Sequence, residues 1–147
     1  MIKNSKLTIY KFEEAKKTLL PLFSHQVKAG FPSPADDHIE QKLDLNHYLI
    51  QHPAATFFVR VEGNSMKNAG ISSGDLLIVD RALSPKDGKI ILAVLNGEFT
   101  VKRIRMQGKK LFLNPENPHF SPLEITEDMD FQIWGVVTYA IHACSPY

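Results

Sequence analysis

From about residue 56 to residue 141 the chain is a series of short apolar segments that alternate with period two and are separated by turn-forming residues. Thr56 opens the first, with Phe57, Val59 and Val61 on one side and Thr56 and Arg60 on the other, although Phe58 interrupts the polar face. Further strands are predicted over residues 76–79, 89–95, 98–104, 110–113 and 131–141. Turn signals lie between them at Ser73-Gly74-Asp75, Asp87-Gly88, Asn96-Gly97, Gly108 and Asn114-Pro115. Asn96-Gly97 between two apolar runs is a strong two-residue hairpin signal, because both turn positions need positive φ. These features predict a compact, mainly β domain of twisted antiparallel sheets. At 147 residues the chain is long enough to bury one core, with little room for a second full domain.

Upstream the pattern changes. Ser33 can cap a helix, Pro34 suits its first position, and Asp36 and Asp37 favour its positive end. A short helix is therefore predicted there, with Ile39 and Leu43 on one face. Asp44 is expected to cap a second short helix carrying Leu45 and Leu49, and Pro53 to end it. Residues 1–30 hold six lysines against Glu13 and Glu14, a net +4, whereas the remaining 117 residues hold eleven cations against fourteen anions, a net −3. Arm and body are electrostatically different. Pro21 among Leu19, Leu20, Leu22 and Phe23 would break a helix, so the arm is read as an extended segment that docks on something. The chain is thus divided into an arm, 1–30, and a β-rich domain, 31–147.

The whole chain carries a net charge of only +1, which singles out no polyanionic partner. Its longest apolar run, Ile90 to Leu95, is six residues, against the roughly 20 that a spanning helix needs. No secretory signal is recognisable at the N-terminus, and the single cysteine, Cys144, fits a reducing compartment. A cytoplasmic protein is the expectation.

The chemically loaded stretch is Glu62-Gly63-Asn64-Ser65-Met66, where a strand stops at a glycine and a hydroxyl follows. A sharp strand end exposes side chains and backbone N–H groups together, the two things an acyl-transfer nucleophile needs. None of the six histidines is tied to Ser65 by a local motif. Lys102 is the better base: alternation places it with Thr100 and Ile104 on one face and Phe99, Val101 and Arg103 on the other. Each unit by which a lysine pKa falls costs about 1.4 kcal/mol of ion solvation, so a neutral amine needs an apolar face to keep it dry. Alone, the pair is weak: such serines are usually turn residues and such lysines usually face water.

The context is a resemblance. It is carried by Phe31-Pro32-Ser33-Pro34, Asp44-Leu45-Asn46 through Leu49-Ile50-Gln51-His52-Pro53, and Gly63-Asn64-Ser65-Met66. It continues through Gly74-Asp75-Leu76-Leu77-Ile78-Val79-Asp80, Gly97-Glu98-Phe99-Thr100-Val101-Lys102 and Phe131-Gln132-Ile133-Trp134-Gly135-Val136-Val137. In this order they resemble the LexA/UmuD family of self-cleaving serine peptidases, and its UmuD branch in particular, from Leu22 to Ile141. The resemblance implies a Ser/Lys dyad of Ser65 and Lys102, with the backbone amides of Asn64 and Ser65 as the oxyanion hole. It implies self-cleavage at Ala29-Gly30, where a small side chain and a glycine let the backbone approach the nucleophile. It also implies RecA filaments on single-stranded DNA as the stimulus in the SOS response. The processed homodimer is expected to serve a Y-family (UmuC-like) translesion DNA polymerase, with no cofactor or metal. Two departures stand out: the arm is a few residues longer than in familiar relatives, and Asn64 stands where Asp is common.

The competing readings differ in class. A truncated LexA-like repressor needs an N-terminal helix-turn-helix, which about thirty residues containing Pro21 cannot build with a linker; sequence-specific DNA binding is not expected. A non-catalytic nucleic-acid or protein-binding module would use Lys102-Arg103-Ile104-Arg105 and Lys109-Lys110, although a solvated hairpin accounts for these charges and no aromatic platform is interleaved. His47 and His52, with no nearby carboxylate or cysteine in sequence, read as surface histidines rather than metal ligands. Cys144 has no activating neighbour, and Trp134 reads as core or dimer interface.

Overall fold

The computed structural model describes residues 8–11, 16–23 and 39–145. In chain order the elements are β1 (Thr8–Lys11), β2 (Leu19–Phe23), β3 (Ile39–Asp44), α1 (Leu45–Leu49), β4 (Thr56–Arg60), β5 (Leu76–Asp80), β6 (Ile90–Leu95), β7 (Glu98–Gln107), β8 (Lys110–Asn114), β9 (Leu123–Ile125) and β10 (Phe131–Ile141). Single 3₁₀ turns lie at Pro53–Ala55 and Lys67–Ala69. The chain divides into two compact units, one within residues 13–51 and the other formed by the rest. The boundary expected between residues 30 and 31 falls outside the described residues.

The larger unit is built on one sheet of eight strands in the order β1-β4-β5-β10-β6-β7-β8-β9, with every neighbouring pair antiparallel. The mainly β, antiparallel expectation holds. Alternation along the strands separates two cores. Leu92 on β6 and Val101 on β7 join Phe57, Val59, Leu77 and Val79 in one cluster, while Ile91, Ala93 and Ile104 join Leu113 and Val136 in the other. The turn between β6 and β7 is the two-residue hairpin that its sequence predicts: Leu95 pairs with Glu98, and Asn96 and Gly97 have φ of 49° and 82°. Central β10 is irregular on both sides, shifting register against β6 between Ile133 and Gly135 and against β5 between Val137 and Tyr139.

The smaller unit pairs β2 with β3 and continues into α1. Here one expectation fails. The helix predicted to carry Ile39 and Leu43 is strand β3, with Leu20 opposite Leu43 and Leu22 opposite Gln41. A four-residue spacing is an even number, so it places two side chains on one face of a strand as well as of a helix, and β2 supplies the ladder partner. The part of that helix assigned to Ser33 and Pro34 lies outside the described residues. The second helix starts as read, the Asp44 carboxylate accepting the Asn46 N–H at 3.1 Å. It ends at Leu49 rather than at Pro53, which opens the 3₁₀ turn instead, where its missing N–H costs no bond. The extended arm finds its partners within its own chain, β1 on β4 and β2 on β3. Among the described residues no helix is long and apolar enough to cross a membrane.

Candidate active site

After β4 the chain is tied to the loop before β5. The Val61 N–H donates to the Asp75 carbonyl at 2.9 Å, the Gly74 N–H returns to the Val61 carbonyl at 2.7 Å, and the Gly63 N–H donates to Ser73 Oγ at 3.1 Å. Gly63 has φ of +104°, a conformation costly for any residue with a side chain, and it reverses the chain so that Ser65 follows at once. Met66, only 2% exposed, then drives its side chain into the first core cluster. The serine therefore sits between a left-handed glycine and a buried anchor.

The backbone around it is held from another quarter. The Glu116 N–H donates to the Ser65 carbonyl at 2.8 Å, Asn117 Nδ2 donates to the Asn64 carbonyl at 2.9 Å, and the Asn68 N–H donates to the Glu116 carbonyl at 2.7 Å. Both carbonyls of the Asn64–Ser65 segment are thus occupied. Among the described residues no acceptor faces the N–H groups of Asn64 and Ser65.

Lys102 is brought up by β7, opposite the fully buried Ile91 and two residues from the fully buried Ile104. Its ammonium donates to Ser65 Oγ, to Thr100 Oγ1 and to the Val101 carbonyl, each at 3.0 Å. Among the described residues no carboxylate pairs with it. Burial alone acts on the group, and it pulls the lysine pKa below the ordinary value. Ser65 and Lys102, 37 residues apart in sequence, thus form a hydroxyl–amine contact at proton-transfer distance.

Ala29 and Gly30 lie outside the described residues. Three features of the surroundings were not anticipated. Thr100, grouped with Lys102 by alternation alone, is a direct partner of its nitrogen. Arg103 does not contribute to a free basic run: its Nε is paired with the Glu116 carboxylate and its other arm donates to the Gly88 carbonyl at 2.6 Å. Ile104 is core and shares its face of β7 with Lys102, so the Lys102–Arg105 tetrad is divided between the strand's two faces. Finally, two buried carboxylates flank β5. Asp80 meets His52 Nδ1 at 2.6 Å and caps the Ala82 N–H; Asp75 meets His142 Nδ1 at 2.6 Å and accepts the Ser72 N–H. His52 is half-exposed as expected, but it has a carboxylate partner that lies 28 residues away in sequence. Cys144 is exposed, and Trp134 packs edge-on against Phe57 and Phe99, beneath the Arg81 guanidinium. Among the described residues no group of three or more His, Cys, Asp or Glu is placed to hold a metal ion.

Comparison with known proteins gives the arrangement a context. The peptidase S24-like family profile matches residues 21–138. Protein SamA of Salmonella typhimurium is 49% identical over 130 residues, covering 88% of this chain and 90% of that protein. Protein MucA of Escherichia coli is 41% identical over 123 residues, covering 83% and 84%. The LexA repressor of Shewanella baltica is 40% identical over 120 residues, covering 82% of this chain and 56% of the repressor.

Proposed function

The chain belongs to the peptidase S24-like family, and on that premise we propose that it is a self-cleaving serine peptidase with Ser65 as nucleophile and Lys102 as general base. The observation that carries the reading is the 3.0 Å contact between Lys102 Nζ and Ser65 Oγ at a lysine whose charge is disfavoured by burial. Once neutral, the amine accepts the hydroxyl proton as Ser65 Oγ attacks the Ala29 carbonyl. Thr100 Oγ1 and the Val101 carbonyl hold the nitrogen in place meanwhile. The N–H groups of Asn64 and Ser65, which meet no acceptor among the described residues, receive the oxyanion. Lys102 then returns the proton to the Gly30 amine, which leaves, and a water activated by the same amine releases Ala29 from Ser65. No cofactor or metal is required.

On this reading residues 1–29 are the released arm and 30–147 the product, an accessory homodimer for a Y-family translesion polymerase, generated when RecA filaments signal DNA damage. Because the substrate is tethered, the rate is governed by how often the arm docks, which gives a filament something to control. The test is mass spectrometry after incubation with activated RecA filaments. A new fragment beginning at Gly30 is expected from the wild type and none from Ser65→Ala or Lys102→Ala. Spontaneous cleavage should also accelerate as pH rises through the depressed pKa of Lys102 and then level off. A rate flat from neutral to alkaline pH removes the titrating amine from the mechanism.

A further inference from the structure

Lys102 is fixed by the ladders of β7, but Ser65 lies on a loop, so something must set the distance between them. Met66 and the bond from the Gly63 N–H to Ser73 anchor the loop on one side. The other restraint comes from the corner after β8. Asn114 ends β8 opposite Arg103, the residue next to Lys102, and the corner turns back through Glu116 and Asn117. Arg103 fastens this corner through the Glu116 carboxylate while its other arm grips the Gly88 carbonyl. The corner in turn fastens Ser65 by its carbonyl, Asn64 by its carbonyl and Asn68 by its N–H. Strand β7 therefore reaches the nucleophile twice, once through the amine of Lys102 and once through the chain Arg103–Glu116.

Peptide planarity gives these bonds a direction. The Asn64 carbonyl and the Ser65 N–H belong to one rigid trans unit and point opposite ways. The Lys67 N–H donates to that carbonyl at 3.2 Å within the turn, and Asn117 Nδ2 adds a shorter bond from the corner at 2.9 Å. Together they aim the Ser65 N–H away from the corner, toward the side on which no acceptor waits among the described residues. We infer that Arg103, Glu116 and Asn117 are positioning residues for the acyl-transfer step: the ion pair sets Ser65 Oγ against Lys102, and the Asn117 amide orients the Ser65 N–H as an oxyanion donor. The inference rests on the proposed peptidase reading and adds the parts that hold its geometry.

The test compares the full chain with Glu116→Ala, Glu116→Gln and Asn117→Asp by two readouts, the pH profile of self-cleavage and the labelling of Ser65 by a small fluorophosphonate. Asn117→Asp keeps the shape and the oxygen that accepts the His119 N–H, but replaces the donor to the Asn64 carbonyl by a negatively charged oxygen. In Glu116→Ala and Asn117→Asp the alkaline limiting rate and the labelling rate should both fall about tenfold or more, as small misplacements of reacting groups do. In Glu116→Ala the midpoint of the pH profile should stay near its wild-type value, because burial, and not the Glu116 carboxylate, lowers the Lys102 pKa. Glu116→Gln, which still offers an acceptor to Arg103, should recover most of the rate. Wild-type rates in Glu116→Ala and Asn117→Asp, or a deficit that vanishes when each variant is assayed well below its own unfolding temperature, overturn the inference. A wild-type chain that is labelled but never cut removes self-cleavage and leaves this inference to be judged by the labelling ratios. One that is neither cut nor labelled overturns both.

Discussion

Lys102 concentrates the electrostatics of the site in one side chain. Its pKa is lowered by burial, and among the described residues no carboxylate pairs with it, so below that depressed value folding carries a buried charge that the unfolded chain would solvate. Between the folded and unfolded pKa values the unfolded state binds more protons, and stability rises with pH. Replacing Lys102 by Met keeps the volume and removes the charge. Lys102→Met is expected to raise the unfolding temperature near neutral pH, with the gain shrinking as pH approaches the ordinary lysine range. A gain independent of pH, read by calorimetry, would mean that desolvation is not what perturbs the amine. Ser65 and Lys102 were legible in the sequence because each announces its backbone: one follows a glycine at a strand end, the other sits in an alternating strand. Thr100 shared that alternation and could have been read as a partner. Glu116 and Asn117 could not, since an acceptor and a donor in a turn carry no periodicity and their partners lie about fifty residues upstream or on another strand.

The strands from β4 to β8 and β10 were legible for the same reason that they fold: apolar residues recur every second position between turns that demand Gly, Asn or Asp. The edge elements were not. β9 is three residues long, and β1 and β2 become strands by pairing with β4 and β3, a property of the partners rather than of the segments themselves. β3 shows how an even spacing serves two structures equally until the neighbour is known. β10 carries the tightest of the described glycines. A Cβ on Gly135 would lie 2.7 Å from Val79 Cγ1 and 3.1 Å from the Asp80 carbonyl, so the glycine is required by the closeness of β5 and not by its φ. Gly135→Ala should therefore destabilise the fold by about 1–3 kcal/mol, measured by denaturant unfolding. The contrast is Gly63→Ala, where nothing lies within 4 Å of the new methyl and any cost must come from the backbone conformation.

At the scale of the whole molecule, the bond proposed for hydrolysis lies after two strands that are laced to the rest of the chain. β1 pairs with β4 over four residues, from Thr8 opposite Arg60 to Lys11 opposite Phe57. While the chain is intact this short ladder closes within one molecule. After scission at Ala29-Gly30 this ladder and the five-residue pairing of β2 with β3 would have to hold a separate peptide. Ladder bonds at about 1 kcal/mol each, net, are offset by the roughly 4–15 kcal/mol that association costs, before the entropy of ordering a free arm is added. The released arm is expected to leave: native mass spectrometry of cut protein should show the 30–147 product without it. Hydrogen exchange at the β4 amides that face β1 should quicken in the cut form, and unchanged protection would mean that the nicked peptide stays in place.

A departing β1 would unzip one flank of the sheet from Phe57 to Arg60. What remains is a bare seam of main-chain donors and acceptors. Such a seam is indifferent to side-chain identity, so a single scission would give the molecule a new adhesive margin.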